Sequence, residues 1–495
     1  MILERIAHWA KHGNPVALIS ENGTQQDTHY ATLQNELIEL AQHLQQEGWS
    51  NVALYLDNGS AWVVSDLACV HANALCTPIP SFFHSQQIAH IIQSIHPQVV
   101  ICEAAWVERL SPLCQIERLC SIEITGVTYM MLILSDGLSR QAWPILEGVD
   151  KVTFTSGTTA DPKGVLIANT TLSHLTDSLC DSVDLQKGDC YLSLLPLSVL
   201  LENVAGVYTA LSKGASIVAW PLASIGYRPD FSIDVSIFAH VINHTRPQVM
   251  ITVPELLAQL VLQVEQNLIS SDAIKSFKFI ATGGALISTE LIKCAQNLGL
   301  PVYQGYGLSE NSSIATLNTA KFNRIGSVGK PMPHVQIKVE NDEIFVKGAN
   351  AVGYLSGERF GNDWLATGDL GVLDDGFLYI KGRKKNVIIN AFGRNIAPEW
   401  VEQLLADMGI EQVCLMGDAE PNLSAVIYSK FSVEEVLNRV NTLNQQLPHY
   451  AQVRALWIRA TPFCLSSGTL RSNGVLVRSA IIAQLHSVPH QFITI

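Results

Sequence analysis

The chain has 495 residues, 48% of them hydrophobic and 15% charged, which excludes a disordered protein and leaves room for two or three domains around a large core. A formal net charge of −13 argues against nucleic acid or an anionic membrane as the main partner, but allows a local basic site. The ten cysteines form no CxxC pair and show no metal-ligand spacing, so they read as reduced thiols of a cytoplasmic protein, most of them in the core.

In chain order, the first stretch, MILERIAHWAKHG, reads as a short amphipathic helix carrying Glu4 and Lys11, not as a targeting segment. No window reaches the roughly 18 consecutive apolar residues of a membrane span. Next come NVALYLD, PQVVIC, ASIVAW, QVMITV and FKFIATGG, short β-branched runs that read as buried strands. Between them, SAWVVSDLACVHANAL and ELLAQLVLQVEQNLI read as helices. This alternation predicts mostly parallel sheets, whose ligands sit beyond the carboxyl ends of the strands. From about Val335 the texture changes: VQIKVENDEIFVKG, with a turn at Glu340 to Asp342, and GFLYIKGR predict a small antiparallel sheet. After Arg383, Lys384 and Lys385 a separate run begins, with a strand (NVIIN), a helix opened by Pro398, then strand, helix and strand. The expected class is therefore α/β. A large N-terminal domain of βα sheets plus a small β region covers residues 1–384. A small α+β C-terminal domain covers residues 385–495, joined at Lys385 by a short hinge.

The stretch Phe154 to Val165, FTSGTTADPKGV, crowds hydroxyls and backbone amides beside one ammonium group. Thr155, Ser156, Thr158 and Thr159 offer O–H donors, Gly157 admits close backbone approach, and Lys163 adds a point charge, a set suited to a phosphate chain. The GxxxxGK[ST] spacing of a Walker loop is absent, and an ordinary polar turn has a similar composition. Four further stretches follow: ATGGAL with Gly283, Gly284 and Ala285; YQGYGLSE with Gly305, Tyr306, Gly307, Ser309 and Glu310; WLATGDLG, presenting Asp369 on a tight glycine turn; and GRKKNVIINAFGRNIAPEWVE with Arg383. Each alone reads equally well as a turn, a cap or core packing.

Taken together and in this order, these motifs resemble the superfamily of adenylate-forming enzymes, which includes acyl-CoA synthetases, luciferases and peptide-synthetase adenylation domains. The resemblance covers nearly the whole chain and is nearest to the fatty-acyl ligase branch. It implies joining a carboxylate to the α-phosphate of ATP, then passing the acyl group to coenzyme A or to the phosphopantetheine arm of a separate carrier protein. It further implies that Thr155, Ser156, Gly157, Thr158, Thr159 and Lys163 hold the pyrophosphate part. Tyr306 would stack on adenine, with Gly283, Gly284, Ala285 and Gly307 lining the nucleotide site. Ser309 would stand near the α-phosphate, Glu310 would bind Mg²⁺, and Asp369 would accept the ribose hydroxyls beside Arg383. Lys163, Ser309, Glu310 and Lys385 form the implied catalytic set, and Lys385 the hinge about which the mobile C-terminal domain rotates.

Two departures stand out. Where the family carries a lysine in an NGK-x-x-R context, this chain reads SNGVLVR, with Val475 in its place and Arg478 intact. A bridging cation at ~4 Å is worth on the order of 4 kcal/mol at an effective dielectric near 20, so its loss would slow adenylation roughly a thousandfold. Three readings are open: Arg471 or Arg478 reaches in, a slow or partner-assisted step suffices, or the chain is a pseudoenzyme that binds nucleotide or acyl-adenylate. The second departure lies in LLPLSVLLENVAGVYTAL, where Val199 and Asn203 replace a histidine and an arginine of the fatty-acyl branch and Glu202 remains. No aspartate is present in PLSVLLEN for an amino-acid ammonium group. Val199 and Leu200, with Gly305, are therefore expected to border a pocket for an apolar aliphatic or aryl acid. A luciferase-like oxygenase is a third, weaker option. His84, His174, His240 and His244, and the KFNRIGSVGKPMPHV stretch with Arg324 and Gly329, are assigned structural roles. Oligomeric state is left open.

Overall fold

The computed structural model describes residues 2–21, 26–143, 146–155, 162–228, 232–285, 287–361, 363–389, 395–418, 420, 422–448, 451–471, 474–485, 487 and 490–495. Among these, nine strands form one large sheet, in the order Lys330–Pro331, Thr316–Leu317, Val302–Tyr306, Phe279–Thr282, Val249–Thr252, Cys190–Leu192, Ser216–Val218, Val16–Leu18 and Thr28–His29. Its centre is parallel: Ala281 pairs with Tyr303, and Ile251 with Ala281. A second sheet runs Gly353–Tyr354, Lys163–Ile167, Lys151–Thr155, Leu75–Pro78, Asn51–Tyr55, Val99–Cys102, Val127–Leu134 and Ile116–Ile124. The strands predicted from β-branched runs all form, because central parallel strands are buried on both faces and read as continuous apolar segments.

Helix starts follow local chemistry. Pro254 opens Pro254–Glu265, and the Ser288 side chain accepts from Glu290 and Leu291 N–H at the head of Thr289–Asn297. Ser60–Ala72 is buried almost all round, as an element inside the core must be. One apolar cluster takes residues from both large sheets and this helix. All ten cysteines are free thiols, six of them buried. No helix among the described residues is long and apolar enough to cross a membrane.

The small antiparallel sheet forms as expected from Val335–Glu340, Glu343–Gly348, Leu365–Asp374 and Phe377–Arg383. Its first turn uses Asn341 and Asp342, both at positive φ. A short turn, Lys384–Asn386, then leads into the smaller C-terminal domain. There the reading missed the short strand Asn395–Ile396, the helix Arg478–Ala483, the strand His490–Thr494 and a further strand in the middle of the domain. Between Gln412–Met416 and the helix Val433–Asn444 lies Leu423–Tyr428, which pairs antiparallel with the first strand and parallel with Val453–Arg459. Among the described residues of NVIIN, Ile388–Ile389 form the strand. Within LLPLSVLLENVAGVYTAL the chain is not uniformly α-helical. Leu201–Tyr208 winds with wider, π-type turns before the α-helix Thr209–Lys213.

The smaller domain rests on the larger one close to the ATGGAL turn. Asp407 accepts from Ser288 Oγ at 2.9 Å, from Thr289 N at 3.2 Å and from Thr289 Oγ1 at 3.3 Å.

Candidate active site

Tyr306 ends the strand Val302–Tyr306 and donates its hydroxyl to Asp369 Oδ2 at 2.6 Å. Arg383 Nε lies 2.6 Å from Asp369 Oδ1. Sequence reasoning put Asp369 on a tight glycine turn; instead it lies within the strand Leu365–Asp374, directly opposite Arg383. Gly368, at φ +69°, kinks that strand where its pairing with Glu343–Gly348 shifts register, and the bulge aims the carboxylate inward. Thr367, which the reading quoted but did not assign, holds the kink by accepting from Asp369 N–H at 3.1 Å and donating to Ile344 O at 2.8 Å. Asp369 is 3% exposed while the Arg383 side chain is 50% exposed. Burial pushes the Asp369 carboxyl up, and Arg383 works against that. Burial beside Asp369 holds the Tyr306 phenol well above its ordinary range.

A second cluster lies where YGLSE meets the hairpin around FTSGTT. The strands Lys151–Thr155 and Lys163–Ile167 pair antiparallel, with Thr155 opposite Lys163 at the end of the pairing. Ser156, Gly157, Thr158 and Thr159 lie outside the described residues. Lys163 Nζ stands 5.4 Å from the ring centroid of Tyr354, and the Tyr354 hydroxyl donates to Glu310 Oε1 at 2.7 Å. Tyr354 was missed. What positions it is its pairing with Val165, a long-range register that no local pattern in AVGYLSG displays. Ser309 and Glu310 begin a short turn, Ser309–Asn311, and both are half-buried. The chain reaches that turn through Gly307, where a Cβ would lie 1.8 Å from the Ser313 carbonyl oxygen, so no other residue fits.

Gly283 is buried against the Gly305 carbonyl, Gly284 is exposed and Ala285 half-buried, all at the carboxyl end of Phe279–Thr282 beside Val302–Tyr306. These positions thus share one sheet end with Tyr306. Val199 and Leu200 lead into Leu201–Tyr208, which packs on Val249–Thr252; Gly305 stands two strands further along the same sheet.

Glu202 and Asn203 turn away from solvent into structural roles. Glu202 accepts from Tyr191 Oη at 2.6 Å, and Asn203 joins a buried group in which Lys151 Nζ lies 2.7 Å from Asp66 Oδ1 and Tyr208 Oη 2.7 Å from Asp66 Oδ2. Asn203 bonds both Lys151 and Asp66. The histidines serve packing: His240 stacks on His244, and His84 N–H bonds Gln87 at a helix start. Arg324 pairs with Asp374 and Asp375.

On the C-terminal side, Lys385 is exposed, yet partial desolvation together with the charges of Arg383 and Arg471 holds its ammonium below the ordinary range. Arg478, named as a possible stand-in for the missing lysine, is engaged elsewhere. Its guanidinium forks onto the buried Glu402 and lies 3.4 Å from Glu399. Burial opposes its charge, but the Glu402 bonds prevail and raise its pKa. Gly393, expected near the thiol's path, lies outside the described residues.

The cluster offers a carboxylate for paired hydroxyls, a second carboxylate beside a lysine, and a row of cations, as a nucleoside triphosphate requires. The chain is similar to known ligases. The chain is 27% identical over 436 residues to the long-chain-fatty-acid–CoA ligase FadD15 of Mycobacterium bovis, covering 74% of this chain and 70% of that protein. It is 32% identical over 281 residues to the 2-succinylbenzoate–CoA ligase of Bacillus anthracis, covering 51% of this chain and 53% of that one, so here it spans about half the relative's length. The fold is that of the O-succinylbenzoate coenzyme A synthetase of Bacillus subtilis solved with AMP, at a TM-score of 0.75 and 22% identity over 96% of this chain and 97% of the other. Residues 6–356 match the AMP-binding enzyme family, and the chain belongs to that family of adenylate-forming ligases.

Proposed function

We propose that this ATP-dependent ligase activates an apolar carboxylic acid, fatty or aryl, as its acyl-adenylate and transfers the acyl group to coenzyme A or a carrier phosphopantetheine thiol. The observation that carries the proposal is the convergence of Asp369, Tyr306 and Arg383 with Glu310, Tyr354 and Lys163 at one end of a parallel sheet. In the first step an oxygen of the acid's carboxylate attacks the α-phosphorus, and the bond to the departing pyrophosphate breaks. In the second, a thiolate attacks the acyl carbon and AMP leaves.

Asp369, holding one donor on each oxygen, retains a lone pair on each for the ribose hydroxyls. Tyr306 faces adenine, with Gly283, Gly284, Ala285 and Gly307 lining the slot. Thr155, Ser156, Gly157, Thr158, Thr159 and Lys163 receive the pyrophosphate, and Ser309 the α-phosphate. Glu310 fits Mg²⁺, being a half-buried carboxylate beside Lys163 whose second oxygen is left by the Tyr354 bond. The ion would neutralise phosphate charge as pyrophosphate departs. Val199, Leu200 and Gly305 border the acid. The relatives are named for a long-chain fatty acid and for 2-succinylbenzoate, neither an amino acid, which agrees with the lack of an aspartate in PLSVLLEN. We place the domain boundary and hinge at Lys385, dividing residues 1–384 from 385–495, and the protein in the cytoplasm. Any carrier protein would be a separate chain.

The test is AMP release with ATP, Mg²⁺, coenzyme A or a carrier protein, and a panel of fatty and aryl acids, run beside Val475→Lys. Acid-dependent AMP, abolished by Asp369→Ala and Glu310→Ala, is the expected result. Val475 supports a second reading, a protein that binds acyl-adenylate without making it. Turnover by Val475→Lys alone would favour that one.

A further inference from the structure

We propose that Arg471 supplies the cation that position 475 lacks, so that the charge has crossed from one arm of a hairpin to the other. This rests on the ligase reading above. Residues 469–471 pair with residues 475–477. Val477 N–H bonds Thr469 O at 2.9 Å, Leu470 bridges Leu476, and Arg471 N–H bonds Val475 O at 2.9 Å. Gly474, at φ +77°, the left-handed region, returns its N–H to Arg471 O at 2.9 Å. Arg471 and Val475 are therefore direct cross-hairpin partners. Side chains of directly opposed residues in an antiparallel pair leave the same face, a few ångströms apart. An arginine at 471 can present its guanidinium where a lysine at 475 would present its ammonium, and its longer, forked head suits a carboxylate or phosphate.

The hairpin is moored beside the nucleotide cluster. Arg478, just beyond it, is tied to Glu402 and lies 3.4 Å from Glu399 on the helix Pro398–Asp407. Glu399 accepts from Asn386 Nδ2 at 2.6 Å, and a Cβ on Gly382 would come within 2.6 Å of the other Glu399 oxygen. Gly382 precedes Arg383, whose guanidinium is on Asp369. Arg471 is half-buried and close enough to Arg383 and Lys385 for their charges to act on one another. Arg478 is committed to the two glutamates, and Arg471 is the residue opposite position 475 that we assign to the reacting groups. Its work is electrostatic. The attacking carboxylate and the α-phosphate are both anionic, and the guanidinium offsets their repulsion without making or breaking a bond.

The experiment compares Arg471→Ala, Arg471→Lys and the double variant Arg471→Ala/Val475→Lys with the natural protein, using an acid that the natural protein activates. Acid-dependent exchange of pyrophosphate into ATP should fall by roughly 10²–10³-fold in Arg471→Ala. Thioester formation from supplied acyl-adenylate and coenzyme A should stay within about threefold. Val475→Lys in the same chain should restore most of the exchange, and Arg471→Lys should retain part of it. Exchange unchanged in Arg471→Ala would overturn the proposal, as would an equal loss in both half-reactions that Val475→Lys does not rescue. If the natural protein exchanges with no acid, the ligase reading fails, and AMP affinity decides this one. A roughly tenfold weaker Kd for AMP in Arg471→Ala at unchanged Tm would support it, and an unchanged Kd would overturn it.

Discussion

Four carboxylates among the described residues accept a tyrosine hydroxyl, and two of them form closely similar groups with opposite purposes. At Asp66, one oxygen faces Lys151 Nζ at 2.7 Å and the other Tyr208 Oη at 2.7 Å. At Asp369, one oxygen faces Arg383 Nε at 2.6 Å and the other Tyr306 Oη at 2.6 Å. The difference is the cation's access to solvent: the Lys151 side chain is 2% exposed, Arg383 50%. The interior group is sealed, with Asn203 bonded to both ions and the Lys151 ammonium over the rings of Trp62 and Tyr208. Its partners are fixed, so it joins the Ser60–Ala72 helix, the Lys151–Thr155 strand and the Leu201–Tyr208 segment. The open group can accept a ligand's hydroxyls on the same carboxylate. The remaining two repeat the contrast: Glu202–Tyr191 inside without a cation, Glu310–Tyr354 at the site beside Lys163.

The comparison breaks most visibly if the sealed pair is cut. Lys151→Met leaves Asp66 charged, buried and short of its counter-ion, and should cost about 3–5 kcal/mol in urea unfolding. Asp369→Ala, at the open pair, should cost far less stability while abolishing AMP formation. A loss below about 1 kcal/mol for Lys151→Met would mean that water reaches Asp66 and that the two groups do not differ as described.

The Glu202–Tyr191 pair sharpens the same point through pH. Burial pushes the Glu202 carboxyl from an ordinary 4.5 up to about 7, against the hydrogen bonds of Tyr191 and the Leu195 N–H. The folded chain therefore holds this proton more tightly than the unfolded one. The associated stability is complete below about pH 4.5 and is lost as pH rises through 7, a difference on the order of 3 kcal/mol. Glu202→Gln should remove that slope, gaining stability relative to the natural protein at pH 8 and little at pH 5. Parallel slopes for the two proteins would show that the carboxyl titrates normally.

These groups also show what a sequence discloses. The residues that the open group brings together could be named in advance because they lie in short local motifs, such as YQGYGLSE and WLATGDLG. The strand class was legible because buried parallel strands are written in apolar runs. Lys151, Asp66, Asn203 and Tyr208 were not assembled because they come from distant elements, 85 residues separating Asp66 from Lys151. Tyr354 escaped for the same reason. Asp369 was recognised but misplaced, since a glycine before an aspartate signals a turn and a strand bulge alike. Arg478 was misjudged because its partners, Glu399 and Glu402, lie on a helix whose packing no local pattern reports.

Removing a hydroxyl tests the groups more gently. Tyr208→Phe takes a charge-assisted bond from a carboxylate sealed off from water and should cost about 1.5–3 kcal/mol. Tyr306→Phe takes the matching bond from the open group, where water or ligand can replace it, and should cost about 1 kcal/mol or less. Its larger effect should be a several-fold higher KM for ATP, because Asp369 loses orientation. Equal stability losses would put both carboxylates in the same surroundings.

The smallest expected effect comes from exchanging the cations in kind. Arg383→Lys keeps the charge at a half-exposed position where the fork has room to be lost, and should change stability by no more than about 0.5 kcal/mol. Lys151→Arg also keeps the charge, but the guanidinium is larger than the ammonium it replaces, and the space is bounded by Trp62, Tyr208, Asn203 and Asp66. Overpacking there should cost about 1–3 kcal/mol. Chemically these are mirror-image substitutions, so intrinsic preference for arginine or lysine predicts opposite signs of similar size. Packing predicts two unequal losses, with the larger at Lys151, and paired urea titrations separate the two accounts.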